Sequence, residues 1–158
     1  NLGSKKRISK ISKYKSRIAS HINHELNKMM KEEDIQEIVR EDLNWSSKKS
    51  KKRNVSRKQR NRFATWSKGL LLERLSIKLA EKGIKETIVN PAYTSQVCCK
   101  CNHLGNRKGK EFKCSNCNLS IDADFNASIN IKKRKFIKEI DIDTPYKEVK
   151  KYYENIPV

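Results

Sequence analysis

Cys98-Cys-Lys-Cys101 and Cys114-Ser-Asn-Cys117, running directly into Asp122-Ala-Asp-Phe-Asn-Ala-Ser128, form the stretch on which the reading of this chain turns. The two C-x2-C pairs enclose 12 residues, among them the turn formers Asn102, Gly105, Asn106 and Gly109, so two tight turns can face each other across a short hairpin. Each turn offers two thiolates to one ion at roughly 2.3 Å, and four thiolates leave no open coordination position. The spacing therefore predicts a zinc ribbon in which Cys98, Cys101, Cys114 and Cys117 hold a structural zinc. Cys99 would give a spacing of one, which bends less favourably around a tetrahedral ion, so it is read as a spare thiol. His103 is expected on the surface, and His21 and His24 have nothing nearby in sequence to complete a second site.

Composition points to a partner. The 158 residues carry 37 Lys plus Arg against 18 Asp plus Glu, a formal charge of +19 that suits a polyanion whose counterions are released on binding. No apolar run approaches the roughly 18 residues that span a bilayer, and no signal peptide is visible, so the chain is expected to be soluble and cytoplasmic, without a membrane partner. The odd count of five cysteines, paired as metal ligands, fits a reducing compartment better than a secreted disulfide framework. Hydrophobic residues are 35% of the chain and mean hydropathy is −0.88, which implies a thin core. With the start at Asn1 in place of Met, these features suggest a fragment of a larger protein.

Ile8, Ile11, Tyr14, Ile18, Ile22, Leu26 and Met29 recur at helical spacing and predict an amphipathic helix ending near Lys31. Ile35, Ile38 and Val39 predict a strand with Glu41 at or near its end. From Ser46 to Asn61 apolar residues nearly vanish, and eight Lys or Arg lie between Lys48 and Arg60, a basic loop that is either a solvated surface or a phosphate track. Phe63, Trp66, Leu70, Leu71, Leu75 and Leu79 predict a second helix closed by Gly83. Ile84 to Val89 reads as a strand stopped by Pro91, and Asn126 to Arg134 as a helix with Ala127, Asn130, Ile131 and Arg134 on one face. Lys135 to Val158 is expected to be a helical or loose tail. The order of elements is α/β.

Glu41 and Asp124 both fall at the edge of a predicted element, where a carboxylate can face a crevice. Two such groups can share magnesium, since phosphodiester hydrolysis by paired ions needs hard oxygen ligands that hold them about 4 Å apart. Taken singly, Asp124 reads better as an N-cap of the following helix and Glu41 as one of many surface acids.

The strings Ile38-Val-Arg-Glu-Asp-Leu-Asn44, Asn90-Pro-Ala-Tyr-Thr-Ser-Gln-Val-Cys-Cys-Lys-Cys101, Asn106-Arg107, Phe112-Lys-Cys114 and Asp124-Phe-Asn-Ala-Ser-Ile-Asn-Ile131 resemble the C-terminal portion of the transposon-encoded OrfB/TnpB family, relatives of the compact type V CRISPR effectors. The resemblance runs in order from about Asn1 to Arg134. It implies a partial RNase H-like (RuvC) domain over 1–91, an inserted four-cysteine zinc ribbon over 92–121, the last RuvC element and helix over 122–134, and a tail over 135–158. It further implies an RNA-guided DNA endonuclease with DNA and a guide RNA as partners. Glu41 matches the family's second metal-binding acid and Asp124 its third, both as magnesium ligands, with Asp122 two residues too early. Arg107 matches an arginine placed near the active site, where a guanidinium steadies the scissile phosphate.

One departure matters. The family's first aspartate, in a Gly-x-Asp-x-Gly-like string, has no counterpart before Glu41, and Asp34 lacks both the glycines and the position. The expected enzyme is thus a metal-dependent endonuclease when complete and inactive as this chain alone, with the missing acid supplied by an N-terminal nuclease segment or a second chain. The alternative is a nuclease-dead RNA- and DNA-binding module or regulator. Without the strands that seed an RNase H sheet, Ile38, Val39, Ile88 and Val89 should present an uncovered apolar face.

Overall fold

The computed structural model describes residues 2–32, 34–42 and 68–157. Within them the order is α1 (Leu2–Glu32), β1 (Glu37–Glu41), α2 (Lys68–Glu81), β2 (Lys85–Val89), β3 (Asn106–Lys108), β4 (Glu111–Lys113), β5 (Ser120–Asp122), α3 (Ala123–Arg134) and α4 (Tyr146–Glu154). The fold is mixed α/β. The basic stretch 46–61, Trp45, Phe63 and Trp66 lie outside the described residues. Two compact units divide the described residues, one holding α1 and α2, the other holding residues 38–42 and 86–157.

In the first unit α1 packs on α2. The buried side chains are Leu26 and Met30 from one helix and Leu75 and Leu79 from the other, with Lys78 donating to Asn27 Oδ1 at 2.6 Å. The inward line on α1 runs in steps of four through half-buried Ile18 and Ile22 to Leu26 and Met30, so Met29 of the expected stripe is exposed, as is Tyr14 farther back on the line itself. Steps of four trace the shallow ridge along which two helices interdigitate, and a step of three leaves it. Leu71, four residues before Leu75 on the inward line of α2, is exposed all the same. Gly83, at φ +66°, ends α2 as expected: its N–H donates to Ala80 O at 3.2 Å and that of Ile84 to Leu79 O at 2.9 Å, the paired bonds of a left-handed C-terminal cap.

β1 and β2 form a two-stranded sheet. Lys85 N donates to Gln36 O at one end and Asp42 N to Val89 O at the other, so the strands run parallel. Val89 is buried, Ile38 and Val39 are half-buried and Ile88 is 41% exposed, which narrows the expected bare face to Ile88.

In the second unit β3, β4 and β5 form an antiparallel sheet in that order, with Arg107 opposite Phe112 and Phe112 opposite Ile121. Two apolar clusters support it. Cys98, Phe112, Cys114 and Ala123 make the core of the ribbon, while Ala92, Tyr93, Val97, Ile140, Val149 and Tyr153 make a second core. The segment after Arg134 is therefore packed, not loose, because Ile140 and the Val149 and Tyr153 face of α4 give it apolar surface to bury. Asn90 fastens it, donating from Nδ2 to the carbonyls of Asp141 at 3.0 Å and Thr144 at 2.9 Å.

Helix α3 starts three residues earlier than its apolar spacing suggests. Asp122 accepts from Asp124 N and Phe125 N, each at 2.9 Å, and so caps it. Its buried face is Ala123, Asn126, Asn130 and Arg134, one position around from the expected stripe, with Ala127 and Ile131 half-buried. Apolar periodicity misplaced this face because its buried residues are mostly polar and, Arg134 Nε apart, hydrogen-bonded. Asn126 Nδ2 donates to Val97 O and its Oδ1 accepts from Cys99 N; Asn130 Nδ2 donates to Thr94 O; Arg134 donates to the carbonyls of Asn90 and Ala92 and to Tyr153 Oη.

Candidate functional site

The two C-x2-C turns are built alike. Cys98 N donates to His103 O at 2.8 Å and Cys114 N to Leu119 O at 2.9 Å, five residues on in each case. The residue after each second cysteine, Asn102 or Asn118, takes a left-handed φ of 62° or 55°, which asparagine tolerates better than most residues. Gly109, at φ +63°, closes the β3–β4 hairpin between them. Gly105 allows the sheet to close over Phe112, since a Cβ there would lie 2.4 Å from its ring and 2.8 Å from Lys113 O.

These turns bring the four expected sulfurs together, all within 4.8 Å of one another, with Cys98–Cys117 and Cys101–Cys114 at 3.5 Å. Four thiolates around zinc at about 2.3 Å would sit about 3.8 Å apart, so the residues fit a tetrahedral ion. Burial pushes the Cys98 thiol up to about 12, and burial likewise raises Cys114. Burial also opposes ionisation of Cys101, but hydrogen bonds from the His103 backbone and the Asn116 side chain outweigh it and bring that thiol down to about 6. Sulfurs this close share one negative charge readily and four only around a cation. Cys99 stands outside the cluster. His103 is half-buried, its Nδ1 3.0 Å from Cys101 O, and so buttresses the turn instead of lying free on the surface. His21 and His24 are exposed.

Beside the ribbon, in the same unit, lies a cleft of about 450 Å³. Glu41 from the end of β1 and Asp124 from the first turn of α3 both line it, together with Arg107 from β3 and with Thr94, Ser95 and Ser128. The three residues singled out by resemblance thus share one cavity. Asp122 does not, because capping consumes its carboxylate, and that leaves Asp124 free of the N-cap role. Among the described residues, Glu41 and Asp124 are the only carboxylates lining the cleft.

Their surroundings differ. Asp124, 74% exposed at its side chain, meets Arg107 Nη2 through Oδ1 at 2.7 Å, a charge-assisted bond. Glu41 is half-buried and accepts from the hydroxyl of Thr94, itself almost wholly buried. Arg40, its neighbour, points away and pairs with Glu86 at 2.5 Å, as alternation along a strand requires. Thr94 was not singled out from sequence as a site residue. A threonine in a loop carries no local signal of the glutamate it meets 53 positions away.

Residues 69–131 match the family model described as the Cas12f1-like TNB domain. The chain is 32% identical over 139 residues to the CRISPR-associated endodeoxyribonuclease Cas12f1 of Sulfoacidibacillus thermotolerans, which covers 82% of this chain and 31% of that protein. To the protein of the same description from an uncultured archaeon it is 37% identical over 75 residues, 42% of this chain and 14% of the other. The fold matches a chain of a Cas12f1–sgRNA–target DNA complex solved by cryo-EM, with a TM-score of 0.52 and 26% identity over 84% of this chain and 36% of that one. The chain thus spans about a third or less of the length of these relatives. The matches bear out the resemblance to the C-terminal portion of TnpB-like proteins and compact type V effectors.

Proposed function

We propose that this chain, so similar to the C-terminal portion of TnpB-like compact type V effectors, supplies two metal-binding carboxylates and the zinc ribbon of a RuvC-like, RNA-guided DNA endonuclease. The observation that carries the proposal is the meeting of Glu41, Asp124 and Arg107 on one cleft beside the four-cysteine cluster. In this reading residues 1–91 and 122–134 belong to a partial RNase H-like domain, 92–121 to the ribbon, and 135–158 to a C-terminal segment packed under the loop that follows β2. The first acid comes from outside the chain, in an N-terminal segment or a second polypeptide.

Glu41 and Asp124 are hard oxygen donors suited to magnesium. Once held, such ions supply an activated water and stabilise the leaving oxygen of the phosphodiester. The chain's own residues do the rest. Thr94 holds one oxygen of Glu41, and Arg107 balances Asp124 across 2.7 Å. With a cation held by Asp124, the Arg107 guanidinium would be available to a phosphate in the same cleft. The formal charge of +19 favours DNA and guide RNA as partners, as does the likeness to a chain solved with both.

A second reading, a nuclease-dead RNA- and DNA-binding module, is favoured by the cleft's having two described carboxylates and by Asp124 being paired to Arg107. The experiment adds the N-terminal segment in trans, with guide RNA, magnesium and target DNA. Cleavage that falls at least about a hundredfold in Glu41→Ala and in Asp124→Ala is the expected result; full binding with no cleavage by the unsubstituted chain selects the module.

A further inference from the structure

We infer that Thr94 is the positioning residue for the Glu41 carboxylate. The inference rests on the reading of Glu41 as a metal ligand and adds how its geometry is set. Glu41 is the last residue of β1, with three side-chain torsions to be fixed. Among the described contacts, the one that fixes its carboxylate comes from Thr94 Oγ1.

That hydroxyl has a single proton and two acceptors in reach, Glu41 Oε1 and Pro91 O, the latter at 3.1 Å. An ionised carboxylate is the stronger acceptor, so the proton lies toward Glu41. One carboxylate oxygen is then held by a neutral donor and the other is left for a cation.

Thr94 can serve as a fixed donor because its own position is fixed. It is 2% exposed, and its β-branch stiffens the first side-chain torsion. Its carbonyl accepts from Asn130 Nδ2 at 2.9 Å. The preceding residue, Tyr93, sits at φ 62°, a strained conformation for a bulky side chain, and its ring lies 4.2 Å from that of Tyr146. Arg134 takes the carbonyls of Asn90 and Ala92 just before the turn. Asn130 and Asp124 stand on the same helix, so α3 places one carboxylate directly and the other through Asn130 and Thr94. The separation of two ligands that lie far apart in sequence is thereby referred to a single rigid element.

The test uses the zinc-loaded chain and Mn²⁺ alone as the probe, with free Mn²⁺ counted by electron paramagnetic resonance. Glu41→Gln establishes which part of the binding depends on Glu41. Thr94→Val keeps the shape and removes the hydroxyl; Thr94→Ala and Thr94→Ser both lose the methyl and differ only in the hydroxyl, so they decide the matter even if the valine variant misfolds. Loss of an outer-shell partner weakens metal binding about tenfold or more, which is expected for Thr94→Val and Thr94→Ala, while Thr94→Ser stays within about threefold of the parent. The Co²⁺–thiolate spectrum of the ribbon should be the same throughout. Equal Mn²⁺ affinity in the alanine and serine variants overturns the positioning role alone. Parent binding that Glu41→Gln leaves unchanged overturns the metal-ligand reading of Glu41 and this inference with it.

Discussion

Two aspartates separated by one residue have opposite duties. Asp122 gives its carboxylate to the backbone N–H groups of Asp124 and Phe125, whereas Asp124 stands 74% exposed with Arg107 as its partner. Asp122→Ala should therefore cost about 1 kcal/mol in unfolding free energy by denaturant titration, the usual loss of an N-cap. Asp124→Ala, lacking a buried role, should leave the midpoint nearly unchanged. The string Asp122-Ala-Asp124 shows two acids alike, and only the resemblance picks the second; the turn geometry supplies the physical reason. Gly105 is a sharper case. A methyl there would press on the fully buried Phe112 ring and, at 2.8 Å, on a backbone carbonyl that cannot yield cheaply. Gly105→Ala should lower stability by about 1–3 kcal/mol, as overpacking does, and an unchanged melting curve would show that the hairpin closes differently.

At the scale of elements, the C-terminal ends of α1 and α2 and the strands β1 and β2, though not their pairing, were legible because Gly83, Pro91 and the β-branched runs act through local physics. The buried face of α3 was not legible, since Asn126, Asn130 and Arg134 are polar and become good core residues only where loop carbonyls await them. Helix α4 fell within a segment expected to be helical or loose, and its packing was not legible for a related reason: its worth lies in what Val149 and Tyr153 meet, Tyr93 and Ala92, far back in the chain. Val149→Asp, which forces a carboxylate into a fully buried position, should cost several kcal/mol and loosen the turn before Thr94. The ribbon has its own cluster around Phe112, so the Co²⁺–thiolate absorption should survive that substitution. Its loss would mean that the two clusters stand or fall together.

For the molecule as a whole, a metal such as zinc would compete with protons for the same sulfurs. Cys101, held down to about 6 chiefly against the opposing pull of burial, is a thiolate at neutral pH, while Cys98, raised to about 12 by burial, must give up a proton to ligate. The depressed thiol contributes stability above its ordinary value near 9, lost as pH falls through about 6; the raised one favours the protonated metal-free fold until pH climbs toward 12. Zinc uptake at pH 7 should thus release protons, seen by calorimetry in buffers of differing ionisation heat, and apparent affinity should rise with pH between about 6 and 8. Zinc affinity independent of pH over that range would argue against thiolate ligation. Among the described residues no helix is long and apolar enough to cross a membrane.

The sequence by itself determined the four-cysteine cluster, because ligand spacing and turn-forming residues are short-range facts, and it determined the polyanion-seeking charge, which needs only counting. It also marked Glu41, Asp124 and Arg107 through resemblance. Tertiary structure alone decided that these three face one cleft and that Asp122 does not join them. Only it showed that Thr94 reaches Glu41 and that residues after Arg134 brace the turn carrying Thr94. The division follows from range: a cap, a turn or a C-x2-C pair is written within a few residues, whereas a hydrogen bond spanning 53 positions exists only once the chain has folded around it.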